Sequence, residues 1–178
     1  LVLSMRDDDL ADVLEVELGQ MWRSYPTPSE SEANQLRDEL SRRGGRVSIV
    51  GVSIDEWARA DRRRDDDERY DFLVPQLRAA AALGATGIRL PIGQAGPTLL
   101  RRVLPLLQEL DLVLFEEAQG DQTPQNPANA PHYEDIARLD DPHVRLLLDI
   151  SMLMPALPVT YLEELERGGI SPDLVALL

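Results

Sequence analysis

Two carboxylates stand where apolar runs of the chain stop. The run Leu112–Phe115 ends at Glu116, and the run Val144–Leu148 ends at Asp149. Near-continuous Val and Leu runs of this length are typical of strands buried on both faces, as in a parallel sheet covered by helices. Open α/β sheets and α/β barrels place their chemistry at the carboxyl ends of such strands. The two acids are 33 positions apart, which suits one strand–helix–strand unit, so we expect them to approach one point.

Two bare carboxylates at one point repel each other, so a divalent cation or a shared proton is their natural complement. Glu116 and Glu117 compete for the role of the first acid. If Phe115 faces the helix layer, the alternation of side chains along a strand turns Glu116 inward and Glu117 outward. Glu117 is otherwise an outer acid or the partner of a nearby arginine.

The elements that must position these acids follow a strand–helix rhythm. Apolar and alternating runs predict earlier strands at Leu1–Met5, Val13–Leu18, Val47–Asp55 and Thr86–Ile92. Helices are predicted between them, one with its apolar stripe at Ala33, Leu36 and Leu40, then Tyr70–Leu83, Pro97–Leu110 and His132–Leu139. Pro75 fits the second of these only within a first turn. Residues 59–69 are expected to be a charged, solvated loop or helix start. Two further loops are expected, a polar one at 120–131 and a Pro- and Met-rich one at 152–161. A last helix is expected to begin after Ser171.

The runs "LVLFEEAQG" and "VRLLLDIS", behind "ALGATGIRLPI", resemble the xylose isomerase-like TIM-barrel superfamily of sugar isomerases and epimerases, to which endonuclease IV also belongs. The resemblance implies an α/β fold, a (β/α)8 barrel of which residues 1–178 supply about strands one to six as a single truncated domain. It also implies that Glu116 and Asp149 are the first two metal ligands, with the others beyond Leu178. Glu116 would in addition serve as one acid/base.

Four further residues are candidates for contact with a substrate. Glu17 ends the second predicted strand and faces either the barrel mouth or solvent. Arg89 lies inside an apolar strand, where a charge must be paired, so it either reaches into the mouth or forms a structural ion pair. Trp57 could stack on a sugar ring or simply pack. Gln119 opens the polar loop, whereas His132 and His143 are expected at the surface.

Composition excludes several classes of function. The net charge of −14 argues against nucleic acid as a partner. All 18 basic residues are arginine, which excludes Schiff-base and P-loop lysines from this chain, and the absence of cysteine excludes thiolate sites. No apolar run is long enough for a membrane span and no signal-peptide pattern opens the chain, so we expect no membrane partner and a cytoplasmic location.

The resulting hypothesis is a metal-dependent sugar or sugar phosphate isomerase or epimerase, using Mn, Mg, Co or Zn to move a proton at a carbon next to a carbonyl. Its partner would be a small sugar or polyol, and a homo-oligomer stays open. The alternative is a non-catalytic relative that binds a ligand or a partner subunit. Met152 supports this alternative, because related sequences often carry His at that position.

Overall fold

The sequence forms alternating strands and helices, as its apolar runs predict. The computed structural model describes residues 2–22, 28–150, 159–171 and 174. In chain order the elements are α1 (Val2–Asp7), β1 (Val13–Glu17), α2 (Leu18–Met21), α3 (Glu30–Arg42), β2 (Arg46–Gly51), β3 (Trp57–Arg59), β4 (Arg62–Arg63), α4 (Asp66–Ala82), β5 (Gly87–Pro91), α5 (Gly96–Leu110), β6 (Val113–Ala118), α6 (Ala130–Leu139), β7 (Val144–Leu148) and α7 (Val159–Arg167).

Five strands form one parallel sheet in the order β1-β2-β5-β6-β7. This order follows the chain apart from β3 and β4, which form a separate antiparallel hairpin after β2. The helices α3, α4, α5 and α6 pack side by side in chain order. Such a sheet, with one helix after each strand, is a partial α/β barrel, which confirms the predicted fold class.

The two faces of the sheet differ in chemistry because side chains alternate along each strand. One face carries the buried core that the helices cover, and we call it the covered face. Its strand residues are Leu14, Val16, Val50, Ile88, Leu90 and Leu114, each at most 5% exposed. The opposite face, here the open face, carries Glu15, Glu17, Arg89, Phe115 and Glu117, none of which belongs to the core. In a closed barrel the open face is the interior.

The N-terminal segment corrects one predicted element. The expected strand at Leu1–Met5 is wrong, because Val2–Asp7 is the helix α1, while Leu1 lies outside the described residues. Val2, Leu3 and Met5 pack against the core, and Arg6 Nε donates to the carbonyl oxygen of Arg43 at 2.6 Å, beyond the end of α3. An apolar stretch of five residues shows too little periodicity to separate a helix from a strand.

Prolines and loops give further corrections. Pro75 lies in the middle of α4 rather than in its first turn, so the prediction for it is wrong. The helix starts earlier than predicted, at a capping box between Asp65 and Glu68, and this start places Pro75 well inside it. The charged run 59–69 is only partly loop, since it includes the strand β4. Most of the loop predicted at 152–161 and of the helix predicted after Ser171 falls outside the described residues.

Candidate active site

Arg89 is the centre of a charged cluster on the open face. Its Nε donates to Glu15 Oε1 at 2.6 Å and its Nη1 donates to Glu117 Oε2 at 2.5 Å. Its Nη2 donates to Glu17 Oε1. The forked guanidinium group therefore joins three carboxylates from two strands, β1 and β6, to β5. The sequence predicts that Arg89 either reaches into the barrel mouth or forms a structural ion pair. The ion pair is observed, and the Arg89 side chain also points to the open face.

This cluster spans β2, which lies between β1 and β5 in the sheet. The contact is possible because position 51 of β2 is glycine. Gly51 pairs with both Glu17 and Arg89, and a Cβ atom there would lie 2.0 Å from Glu17 Oε1. The missing side chain of Gly51 therefore provides the space in which Glu17 and Arg89 meet.

Burial and charge act against each other in this cluster. Burial raises the pKa of Glu17, and the Arg89 guanidinium only partly opposes this. Burial on its own would lower the pKa of Arg89, but the hydrogen bonds to Glu15 and Glu117 outweigh it and raise that pKa. Three acids surround a single cation that stays charged, so the open face offers excess negative charge to a cation or to a polar ligand.

Glu116 lies on the other side of β6, in the covered face. It is only 1% exposed, and its Oε2 accepts a hydrogen bond from the Gly93 N–H at 2.8 Å. Its Oε1 is buried without a hydrogen-bond partner among the described residues. Burial raises the pKa of Glu116 from 4.5 to about 7, although the Gly93 bond opposes this. Glu116 can therefore carry a proton near neutral pH.

His132 is a neighbour of this carboxyl group that sequence reasoning missed. Together with Gly93 and Asp135 it lines a narrow crevice beside Glu116. Gly93 has a φ of +83°, and a Cβ atom there would lie 2.6 Å from His132 Nε2. The sequence predicts His132 at the surface because it does not follow a strand, whereas the structure has it half-buried. The other histidine, His143, has its Nδ1 atom 2.9 Å from Asp141 Oδ1.

The condition under which Glu116 would face inward is not met in β6. Phe115 faces the open side rather than the helix layer, since its ring lies against the position of the missing side chain of Gly87. The alternation then turns Glu117 to the open face and Glu116 to the covered face. The sequence does not indicate which residues of β6 face which side of the sheet, because Leu114 and Phe115 are both apolar.

Asp149 lies on the same side as Glu117. Its N–H donates to the Ala118 carbonyl oxygen at 2.9 Å and so continues the pairing of β7 with β6. Leu147 pairs with Glu117, and Asp149 follows two positions later, so the alternation gives both acids the open face. Carboxylate oxygens suit Mg²⁺ and Mn²⁺, and Zn²⁺ also accepts them, so the donor chemistry of Glu117 and Asp149 is that of ligands for a divalent cation. Among the described residues no group of three or more His, Cys, Asp or Glu side chains could hold a metal ion.

The remaining predicted site residues are near strand ends. Trp57 is 47% exposed in the hairpin after β2, and the Arg63 guanidinium lies 5.1 Å from the centroid of its ring. Gln119 is exposed just after β6, and its N–H donates to Gln122 Oε1 at 3.1 Å. Tyr133 Oη donates to the Gln122 carbonyl oxygen at 2.5 Å, which fastens the polar loop to α6. Contact of these residues with a substrate stays a prediction.

Solved structures with a similar arrangement identify the fold. The IOLI protein with a binding zinc atom superposes with a TM-score of 0.62 at 13% identity, over 91% of this chain and 62% of that chain. A xylose isomerase domain protein from Planctomyces limnophilus gives a TM-score of 0.59 at 18% identity, over 93% and 64%. D-psicose 3-epimerase gives 0.57 at 17%, over 78% and 53%. The chain has the fold of the xylose isomerase-like TIM barrels. The predicted resemblance is thereby confirmed at the level of the fold.

Sequence comparison relates this xylose isomerase-like chain to subunits of deglycosidases. It is 33% identical over 178 residues to a C-glycoside deglycosidase alpha subunit of Arthrobacter globiformis. The aligned region covers 100% of this chain and 50% of that protein. A 3'-dehydrocarminate deglycosidase alpha subunit of Microbacterium sp. is 25% identical over 94% of this chain and 48% of its own length. The chain thus spans about half the length of the curated relatives it matches. No family model matches it.

Proposed function

We propose that this chain is part of a sugar-acting enzyme, the barrel portion of a C-glycoside deglycosidase alpha subunit. The observation that carries the proposal is the match of the whole of this chain to half of one such subunit at 33% identity. The geometry supports it, because an α/β barrel uses the carboxyl ends of its strands for chemistry, and Glu117 and Asp149 lie there. A protein related to alpha subunits would work with unlike subunits, so we propose a multi-subunit assembly rather than the homo-oligomer considered from the sequence.

The chemical step that we propose is proton transfer at a carbon next to a sugar carbonyl. Glu117 would take the proton, and Arg89 would orient its carboxylate through the 2.5 Å hydrogen bond. A divalent cation held by Glu117 and Asp149 would stabilise negative charge on the sugar oxygen when bound. Glu17 and Gln119 would contact sugar hydroxyl groups at the rim, and Trp57 would stack on the ring.

The test of this step is exchange of substrate hydrogen with solvent. The full-length protein that contains this chain is incubated with a 3-keto sugar in D₂O, and deuterium in the sugar is followed by NMR. We expect deuterium at a carbon beside the carbonyl and loss of about 100-fold or more in the Glu117→Gln variant. Glu134→Gln, an exposed acid on α6, is the matched control and should exchange normally. Equal exchange in both variants would remove Glu117 from the reaction.

An isomerase or epimerase is the second candidate, favoured by the barrel neighbours that carry such names. D-psicose 3-epimerase and a 3-keto-D-glucoside 4-epimerase from E. coli share the fold at TM-scores of 0.57 and 0.53. The same incubation with a 3-keto C-glycoside as the substrate separates the two proposals by product. Cleavage of a C-glycoside into sugar and aglycone favours the deglycosidase, whereas an intact, rearranged sugar favours the isomerase.

The role of the metal is tested by the metal content of three variants. Glu117→Gln and Asp149→Asn should each reduce bound metal strongly, because each removes one carboxylate ligand from the open face. Glu116→Gln should retain it, since Glu116 lies on the covered face. Should Glu116→Gln alone lose the metal, the ligand predicted from the sequence would be restored.

A further inference from the structure

A pocket lined by arginines lies among the segments that follow β2 and β5. It has a volume of about 330 Å³ and is lined by Glu56, Arg63, Arg64, Arg69 and Gly93. We call it the arginine pocket. Arg63 and Arg64 follow β3 in the hairpin after β2, Arg69 belongs to the beginning of α4, and Gly93 follows β5. The pocket therefore opens at the carboxyl edge of the sheet, where the loops after the strands meet.

The arginines of this pocket have only distant acidic partners. Their nearest carboxylate oxygens are 3.4 to 4.0 Å away, whereas the neighbouring Arg62 contacts both oxygens of Glu68 at 2.7 and 2.8 Å. The distant partners are also about half exposed, while the Arg64 and Arg69 side chains are 23% and 19% exposed. Water thus screens the acids more than the arginines. The pairs concerned are Arg63–Glu56, Arg64–Asp55 and Arg69–Asp66.

Two of the guanidinium groups have unused donors and fixed planes. The Nε atoms of Arg64 and Arg69 are buried without a hydrogen-bond partner among the described residues. The Arg64 guanidinium lies 4.9 Å from the centroid of the Phe72 ring, and Arg69 Nη2 donates to the Gln94 carbonyl oxygen. Stacking and a main-chain hydrogen bond hold these side chains in place, so little freedom is lost when a ligand binds.

A chain with a net charge of −14 repels anions as a whole, so a pocket with three arginines at its substrate-facing edge is a local exception. Planar guanidinium groups match the geometry of carboxylate and phosphate oxygens. Gly93 lines the pocket, and its N–H binds Glu116, the residue that precedes Glu117 in β6. We propose that the arginine pocket binds an anionic group, a phosphate or a carboxylate, carried by the sugar substrate.

That the anionic group is carried by a sugar substrate rests on the proposed function, but the test of the pocket measures binding alone. The protein is titrated in a calorimeter with glucose 6-phosphate, glucuronate and glucose. We expect one of the two anionic sugars to bind at least about tenfold more tightly than glucose, since each charge-assisted hydrogen bond is worth about that factor or more. The preferred anion tells whether the group is a phosphate or a carboxylate. Equal affinity for all three sugars, or no binding of either anion, overturns the proposal.

The variants Arg69→Gln and Arg63→Gln should each lose about tenfold of the preference for the anionic sugar. Arg78→Gln is the matched control, because Arg78 also belongs to α4 and its nearest acid, Glu109, is 3.7 Å away. It should keep the preference, and an equal loss in the control would reveal a general charge effect and overturn the proposal. If Arg69→Gln fails to fold, Arg63→Gln decides, since the Arg63 side chain is 69% exposed.

The two proposals fail separately. Anion binding that depends on Arg63 and Arg69, together with unchanged deuterium exchange in Glu117→Gln, would support the pocket and reject the proposed proton transfer. Exchange that depends on Glu117, with equal binding of glucose and both anions, would do the reverse.

Discussion

At the scale of single residues, Glu116 and Glu117 show how one peptide step changes the chemistry of a carboxyl group. Glu117 accepts a hydrogen bond from a guanidinium group on the open face, whereas Glu116 is buried and has one main-chain donor. The environment of Glu116 favours its neutral form, because burial penalises the charge more than one N–H group can offset.

The raised pKa of Glu116 makes the stability of the fold depend on pH. Between pH 4.5 and about 7 the folded state holds a proton that the unfolded state has released, so this group lowers the free energy of unfolding as pH rises. Replacing the acid by the isosteric, neutral amide in Glu116→Gln removes this effect. We expect the variant to equal the natural protein near pH 4.5 and to exceed it by up to about 3 kcal/mol at pH 8.

Urea unfolding of both proteins at several pH values measures this difference. Glu134→Gln makes the same change at an exposed site on α6, where the Glu134 side chain is 68% exposed, and should stay within about 0.5 kcal/mol at every pH. A constant offset between Glu116→Gln and the natural protein across the range would mean that Glu116 is ionised in the fold.

Residue chemistry was predicted better than residue orientation. The sequence identified the acids at the ends of β6 and β7, and it offered an ion pair as one of two alternatives for Arg89. It could not tell which of Glu116 and Glu117 faces the barrel interior, because the apolar residues before them leave the phase of the strand open. His132 carried no signal, since its proximity to Glu116 depends on the packing of α6 against the turn at Gly93.

At the scale of elements, the starts of α3 and α4 are both fixed by capping boxes. The Ser29 side chain accepts a hydrogen bond from the Glu32 N–H, and the Asp65 side chain accepts one from the Glu68 N–H. In each box the glutamate side chain accepts a hydrogen bond from the backbone N–H of the capping residue. The sequence signals Ser-x-x-Glu and Asp-x-x-Glu precede both helices. In α4 the cap also places Arg69 one turn into the helix, at the arginine pocket.

Removing either cap should weaken the fold by a similar amount. We expect Ser29→Ala and Asp65→Ala each to lower the free energy of unfolding by about 1 kcal/mol, because each leaves a helix N–H group without its acceptor. The double variant should lose about the sum, since the two helix starts share no partner. Chemical denaturation measures all three, and Asp61→Ala, at an exposed turn, is the control. A loss in the control as large as that in Asp65→Ala would assign the effect to charge rather than capping.

Strands were easier to predict than the segments between them. Apolar runs identified β2, β5, β6 and β7, because strands buried by helices have little other choice of residues, and the alternation of apolar and acidic residues identified β1. The helix α1 and the hairpin of β3 and β4 were missed, since α1 is short and the hairpin lies in a run of arginines and aspartates. The helix α1 packs against distant parts of the chain, which local sequence does not report.

At the scale of the whole molecule, β7 is an edge strand with an apolar surface. Leu146, Leu148 and Ile150 are 37%, 61% and 77% exposed. No strand among the described residues pairs with the free edge of β7. Unpaired N–H and C=O groups next to apolar side chains favour pairing with another chain or another segment.

No described helix is long and apolar enough to cross a membrane, and the predicted cytoplasmic location stays a prediction.

The edge predicts self-association of the 178-residue chain when it is studied alone. Light scattering after size exclusion should show mass that rises with concentration, and Leu148→Lys should lower it by placing a charge on the edge. Ile170→Lys, which charges a 42% exposed apolar residue away from the sheet, should leave the mass distribution unchanged. A concentration-independent monomer for the unmodified chain would contradict this prediction.

The glycine in the middle of β2 has a consequence for how this chain can change over evolutionary time. Position 51 has no side chain, and the bond between Glu17 and Arg89 passes through the resulting space. Any larger residue at position 51 would push Glu17 aside and leave the arginine with fewer acids. In a large collection of related sequences, positions 17, 51 and 89 should therefore covary: the acid and the arginine should occur together with glycine and be replaced together when it is lost.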